Sequence, residues 1–264
     1  SQLMFMAQYS NTDSWSVIGL NTVWFNDNMF KSFTAAGYMH NNSQLYIQEI
    51  GGIELDEKID ANFEADIAFI YTQLLYKTFD DLYLGGQFVY MDLRVDAKDP
   101  AGEVFLKQKG INDNKSSSVG FLASYDTRSK SEKYYPRDAQ LVEFILNFYP
   151  ESLGNDDGFV NTKINARHYQ HGFKSTDVWA NQLYGKYSSE NTPDSGLPAL
   201  GAKNVLRGFS VGQYKARYLS AYQTEYRYQL DGTKFRFAAF AGIASLSGGP
   251  QGDEFGNREA DNGV

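Results

Sequence analysis

Between Tyr214 and Leu230 the chain changes character from one residue to the next. Lys215, Arg217, Gln223, Glu225, Arg227 and Gln229 share one parity, and Ala216, Tyr218, Tyr222, Tyr226, Tyr228 and Leu230 share the other. Period two belongs to an extended strand, whose successive side chains point to opposite faces. Charge on one face and aromatics on the other, sustained over so long a run, fits a strand with water on one side and lipid on the other.

Composition agrees with that reading. No apolar run approaches the ~18 residues of a spanning helix, and mean hydropathy is -0.47. A barrel strand needs apolar residues only at alternate positions, so low hydropathy does not exclude a membrane. Aromatics make up 16% of the 264 residues, with 19 Tyr and 19 Phe, and membrane barrels gather such residues in girdles at both interfaces. There is no cysteine, hence no disulfide framework or thiolate metal site. With 24 Lys and Arg against 32 Asp and Glu, the net charge is -8. That balance speaks against nucleic acid as a partner, since phosphate contacts need clustered cations.

The chain reads as strand and turn throughout. Strands are expected over 2–10, 15–26, 29–40, 59–78, 82–95, 116–126, 140–148, 159–169, 178–187, 214–230 and 234–246, with a weaker candidate over 45–54. Asn11 to Ser14, Asp27-Asn28, Asn41 to Ser43, Asp80-Asp81 and Gly154 to Gly158 supply turn signals. A compact helix is the rival over 59–78, but its period and its β-formers favour strand. Residues 96–115 and 188–212 read as long loops, the second containing Leu206-Arg207-Gly208-Phe209. Eleven or twelve strands and no convincing helix make one all-β domain over 1–264. The fold expected is an antiparallel transmembrane β-barrel. Short connections alternate with long ones, as in outer-membrane barrels. The chain opens directly on strand, so it reads as a mature or trimmed segment with any signal peptide outside it. The tail 247–264 ends without a strand, and a barrel must close. The segment therefore reads as incomplete at both ends.

Three stretches carry a family likeness. Val205-Leu206-Arg207-Gly208-Phe209 is similar to a V-R-G-F/Y motif, with Leu206 in the valine place. Tyr125-Asp126-Thr127-Arg128, followed by Pro136-Arg137-Asp138-Ala139, is similar to Y-D-T-R…P-x-x-G, with Ala139 where glycine is usual. Glu225-Tyr226-Arg227 is similar to E-x-R. Together they resemble the bacterial surface-antigen superfamily of outer-membrane barrels, which includes BamA- and TamA-type assembly barrels and two-partner secretion translocators. The resemblance implies sixteen strands in the full length, a motif loop folded back into the lumen, and location in the outer membrane of a Gram-negative bacterium. Its implied partners are outer-membrane lipid and client outer-membrane or secreted polypeptides. On that plan about one strand precedes Ser1 and three follow Val264. The family's periplasmic POTRA domains are not visible. One departure stands out: where the family has F-x-D-x-G, this chain reads Phe240-Ala241-Gly242-Ile243-Ala244. The aspartate that would hold the motif arginine is absent, which moves the expected partner to Glu225.

The motif also has a physical logic of its own. A loop of about twenty-five residues is long enough to enter a barrel mouth. Arg207 offers a planar fork to a carboxylate, Gly208 permits close approach to a wall, and Phe209 can pack inside. Glu225 and Arg227 lie on the polar face of the next strand, so an Arg207–Glu225 pair is the expected anchor. Its role is structural, not catalytic. Asp126 and Arg128, two apart on one face, are candidates for a structural salt bridge. Glu64, Asp66 and Glu143 read as lining a wet lumen, and Trp15, Trp24 and Trp179 as belt anchors. His168 and His171 are three apart and face opposite sides of a strand, which disfavours a metal pair. No nucleophile elbow, phosphate loop or metal motif appears, so neither enzyme chemistry nor a cofactor is expected. An assembly or translocation barrel is the leading function, with a passive pore or structural barrel as the alternative and a soluble ligand-binding barrel weaker still.

Overall fold

The computed structural model describes residues 1–50, 53–109, 112–128, 135–193, 196–201, 205–206, 214–233 and 235–249. Among them eleven strands form one antiparallel sheet in chain order. They are β1 (Gln2–Tyr9), β2 (Trp15–Phe25), β3 (Phe30–Ile50), β4 (Ile53–Phe79), β5 (Leu82–Ala97), β6 (Asn114–Asp126), β7 (Ala139–Tyr149), β8 (Phe159–His171), β9 (Val178–Ser188), β10 (Tyr218–Gln229) and β11 (Arg236–Ser247). One helix, α1 (Pro100–Lys109), and a 3-10 turn, Glu151–Leu153, interrupt the series. No described helix is long and apolar enough to cross a membrane. The connections at 26–29, 80–81, 172–177 and 230–235 are short, whereas those at 98–113, 150–158 and 189–217 are long. The chain falls into two compact units.

The first unit is Ser1–Leu75, Gly86–Val119 and Tyr149–Asp156. The tight turn into β3 carries positive φ at Asn26, Asp27 and Asn28, a conformation that Asn and Asp tolerate better than most residues. Asn41 to Ser43 does not turn the chain, contrary to expectation, because β3 runs through it. Beyond the last β2–β3 pair, Trp15 with His40, the Ser14 hydroxyl takes over. Its Oγ accepts from the Asn42 amide at 2.9 Å and donates to the Asn42 carbonyl at 3.3 Å. The weak strand over 45–54 is divided between β3 and β4. Helix α1 lies where only loop was expected. Pro100 begins it, a favourable first position. Asp99 caps it, accepting from the Gly102 amide at 2.6 Å and from Asn62 Nδ2 at 2.6 Å. Phe105 stacks on Phe63 with ring centres 5.7 Å apart.

The second unit is Tyr76–Gly85, Gly120–Phe148 and Asp157–Val264. Asp80-Asp81 turns β4 into β5 with φ 64° at Asp81. Register in the β8–β11 part pairs Arg167 with Gln182, Gln182 with Gln223, and Gln223 with Gly242. Burial there is mixed: on β8 and β9 polar residues share the buried face with Phe159, Tyr169, Val178 and Ala180, while large apolar side chains stand on the exposed face. Polar Asn161, Asn165, Gln182 and Ser188 are buried, Asn165 to 5% and Gln182 to 8% exposure. Apolar Leu183, Tyr218, Tyr222 and Ile243 are exposed, at 53%, 49%, 45% and 71%. Strand β10 is shorter than the expected 214–230. Residues 214–216 pair with the loop instead: the Leu200 amide donates to the Tyr214 carbonyl at 3.0 Å, and the Ala216 amide to the Pro198 carbonyl at 3.1 Å.

Candidate functional site

The 189–217 loop is held at its root and at its described middle. At the root the Ser188 hydroxyl donates to Asn161 Oδ1 at 2.6 Å, and the Val160 amide to the Ser189 hydroxyl at 2.9 Å. Further along, Leu200, Val205 and Leu206 are buried against Leu219 and Ala221 of β10, with Tyr184, Ala244 and Leu246 around them. Leu219 and Ala221 share parity with Gln223, Glu225 and Arg227. The loop therefore packs on the polar face of β10, not on the face that carries Tyr218 and Tyr222.

Leu206 is the closest described neighbour of the motif arginine. Its φ is 51°, a left-handed conformation that costs a non-glycine residue energy unless its surroundings hold it. Two contacts do so. Its amide donates to Gln223 Oε1 at 3.2 Å. Its side chain lies over Gly242, where any added Cβ would run into Leu206 Cδ2. Gly242 occupies the place of the aspartate in the family's F-x-D-x-G, so an apolar notch stands where that carboxylate would be. Arg207, Gly208 and Phe209, the anchor expected from the sequence, lie outside the described residues, and so does the Arg207–Glu225 pair.

Glu225 and Arg227 come together. Arg227 Nε donates to Glu225 Oε1 at 2.6 Å, and both side chains are largely shielded. The Arg227 guanidinium lies 5.6 Å from the centre of the Tyr135 ring and 5.9 Å from that of Tyr169, within cation–π range. A cavity of about 130 Å³ opens beside them, lined by Arg167, Gln182, Gln223, Glu225 and Arg227 among others.

Tyr125 to Arg128 closes the end of β6. Arg128 grips Asp126 with two prongs, Nε to Oδ1 at 2.7 Å and Nη2 to Oδ2 at 2.8 Å. That hydrogen-bonded pairing holds the guanidinium above its ordinary pKa. Thr127 exchanges bonds with Gln140 at the start of β7 through both backbone and hydroxyl. Tyr125 stays exposed. The other carboxylates singled out in the sequence also have partners: Lys98 for Glu64, His40 for Asp66, and Asn165 for Glu143. His168 meets Gln170 at 3.3 Å. Among the described residues no group of three or more His, Cys, Asp or Glu could hold a metal ion.

Three residues at the site carried no role in the sequence reading beyond membership of a polar face: Asn165, Gln182 and Gln223. Each is one polar residue among several on its strand. Only the register shows that they meet. Trp179 packs edge-on to Tyr226, ring centres 5.7 Å apart, with Phe173 beside both.

No family model matches the sequence. No curated protein matches it either. Among solved structures, the chain is similar to BamA from Haemophilus ducreyi lacking POTRA domains 1–3, with a TM-score of 0.58 and 14% identity over 96% of this chain. The likeness is one of fold. This chain spans about half of that one, 52% of its length.

Proposed function

We propose that this chain forms an outer-membrane β-barrel domain of the surface-antigen superfamily, and that it serves to insert outer-membrane proteins or to translocate a polypeptide. The observation that carries the membrane reading is the exposure of large apolar side chains on one face of β8 to β11 while polar ones are buried on the other face of β8 and β9. Hydrocarbon accommodates Leu183 and Ile243, and on the other face Asn165 and Gln182 are satisfied by each other, Glu143 and Gln223. Strands of eleven to thirteen residues meet the ~9–11 that a tilted strand needs to cross a bilayer. In an antiparallel meander successive connections alternate between the two ends, and in β8 to β11 the long 189–217 connection lies between the short ones at 172–177 and 230–235, as outer-membrane barrels arrange them.

The seated loop supports the family reading. Leu200, Val205 and Leu206 bury themselves on the water-facing side of β10, so the loop turns into the lumen. That seating supports the proposed role of Arg207, Gly208 and Phe209 as the loop anchor, with Glu225, bonded to Arg227, as the candidate carboxylate partner. Tyr125 to Arg128 braces the β6–β7 end. The domain works in contact with lipid and client polypeptide, without a cofactor.

The test uses the full-length protein in liposomes, with an unfolded outer-membrane β-barrel protein added. Faster client insertion, with a mostly closed and fluctuating conductance in planar bilayers, is expected. A steady, solute-selective pore that leaves client insertion unchanged would overturn the assembly role and favour a passive barrel.

A further inference from the structure

Three side-chain amides and one carboxylate line up across four strands. Leu206 donates its amide to Gln223 Oε1 on β10 at 3.2 Å. Gln223 Nε2 donates to Gln182 Oε1 on β9. Gln182 Nε2 donates to Asn165 Oδ1 on β8 at 2.7 Å. Asn165 Nδ2 donates to Glu143 Oε2 on β7 at 3.0 Å.

A side-chain amide has an accepting end and a donating end, so each link fixes the next. An ionised carboxylate only accepts. Glu143 therefore demands the amino group of Asn165, which turns the Asn165 oxygen toward Gln182. By the same step Gln182 turns its oxygen toward Gln223, and Gln223 turns its oxygen toward the loop. With the amides reversed, Gln223 would present an amino group to the Leu206 amide, two donors facing each other at a half-buried side chain. Hydrogen bonds in series also polarise one another, and poor solvation strengthens the chain. Asn165 and Gln182 are buried, where water cannot stand in for a lost partner.

We infer that Glu143 is a positioning residue for the 189–217 loop. It acts three strands away from Leu206 by setting the direction of the Asn165–Gln182–Gln223 relay that accepts the Leu206 amide. The relay deepens the loop-seating part of the proposed function and rests on it only there. It makes no use of client activity, so its failure and the failure of the assembly role are separable.

The test is hydrogen exchange of single backbone amides in the full-length protein, folded in nanodiscs. Glu143→Leu removes the terminal acceptor, and Gln182→Leu cuts the relay in the middle. Among the described residues neither is hydrogen-bonded to the loop. In both, the Leu206 amide is expected to exchange about tenfold faster or more. The Leu200 and Ala216 amides, bonded within the loop to the Tyr214 and Pro198 carbonyls, stay at the wild-type rate. Glu143→Gln keeps an acceptor at the end and remains near wild type. A Leu206 amide unmoved in either folded variant would overturn the relay. So would all three amides moving together, which marks general loosening, and if only one variant folds, that one decides.

Discussion

At the scale of single residues, what holds the loop is the fit of Leu206 to Gly242 and Gln223. A methyl group added at Gly242 would collide with Leu206 Cδ2 and lie 3.1 Å from both Gln223 Cβ and the Tyr222 carbonyl. Backbone on one side leaves only Leu206 to give way. Gly242→Ala is therefore expected to destabilise by about 1–3 kcal/mol, the usual range for overpacking. The readout is a lower temperature for loss of the folded band in semi-native electrophoresis. Pairing it with Leu206→Ala should recover part of the loss, because the two sites share one contact. A neutral Gly242→Ala would show that Leu206 does not sit in that notch. The sequence displayed half of this. Gly242 was visible as a missing aspartate and Leu206 as an unusual residue in a motif. That the two meet depends on the β10–β11 register and on a positive φ at Leu206, neither of which alternation encodes.

Among the elements, the strands were legible and their ends less so. Alternation located β8, β9 and β11 to within a residue or two, because a slip of one residue would exchange their polar and apolar faces. It missed α1, where Pro100 and Gly102 looked like loop breakers. Pro100 suits a first helical position, and Gly102 lies so close to the Asn62 carbonyl that a side chain would not fit. The β8–β9 turn is tied to β10 by a buried carboxylate that no pattern announced. Asp177 accepts from the Gln229 amide at 3.0 Å and from the Tyr226 hydroxyl at 2.7 Å. The Gln229 amide first, then the Tyr226 hydroxyl and the Lys174 amide, hold its carboxyl below the ordinary value of 3.8 against the opposing effect of burial. A depressed carboxyl contributes stability above its unfolded pKa and loses it as pH falls through the folded value. Asp177→Asn should therefore melt lower than wild type above about pH 5, with the gap closing as pH drops well below 3.8. Thermal unfolding in detergent across that range checks it. A gap that does not change with pH would mean that the ionised carboxylate is not what matters.

For the molecule as a whole, the sequence carried the fold class because barrel physics is written at every second residue. It carried function only through three short motifs, and Arg207, Gly208 and Phe209 of the central one lie outside the described residues. Glu225 and Arg227 were correctly placed on one face. Glu143 was read as a lining carboxylate, but its place at the end of the relay needed four strands in register before it could be seen. The single claim on which the rest depends is that one face of β8 to β11 meets lipid and the other meets water. These 264 residues hold no cysteine, so a label introduced here has no rival among them. Ile164→Cys, Leu183→Cys and Tyr222→Cys, one at a time, carry a fluorophore on the exposed face of the full-length protein in liposomes, and Lys163→Cys carries it on the other. Quenching by spin-labelled lipid should be strong at the first three and weak at 163, with the order reversed for a water-soluble quencher. Strong lipid quenching at 163, or ready aqueous quenching at 164, 183 and 222, would contradict the membrane barrel outright.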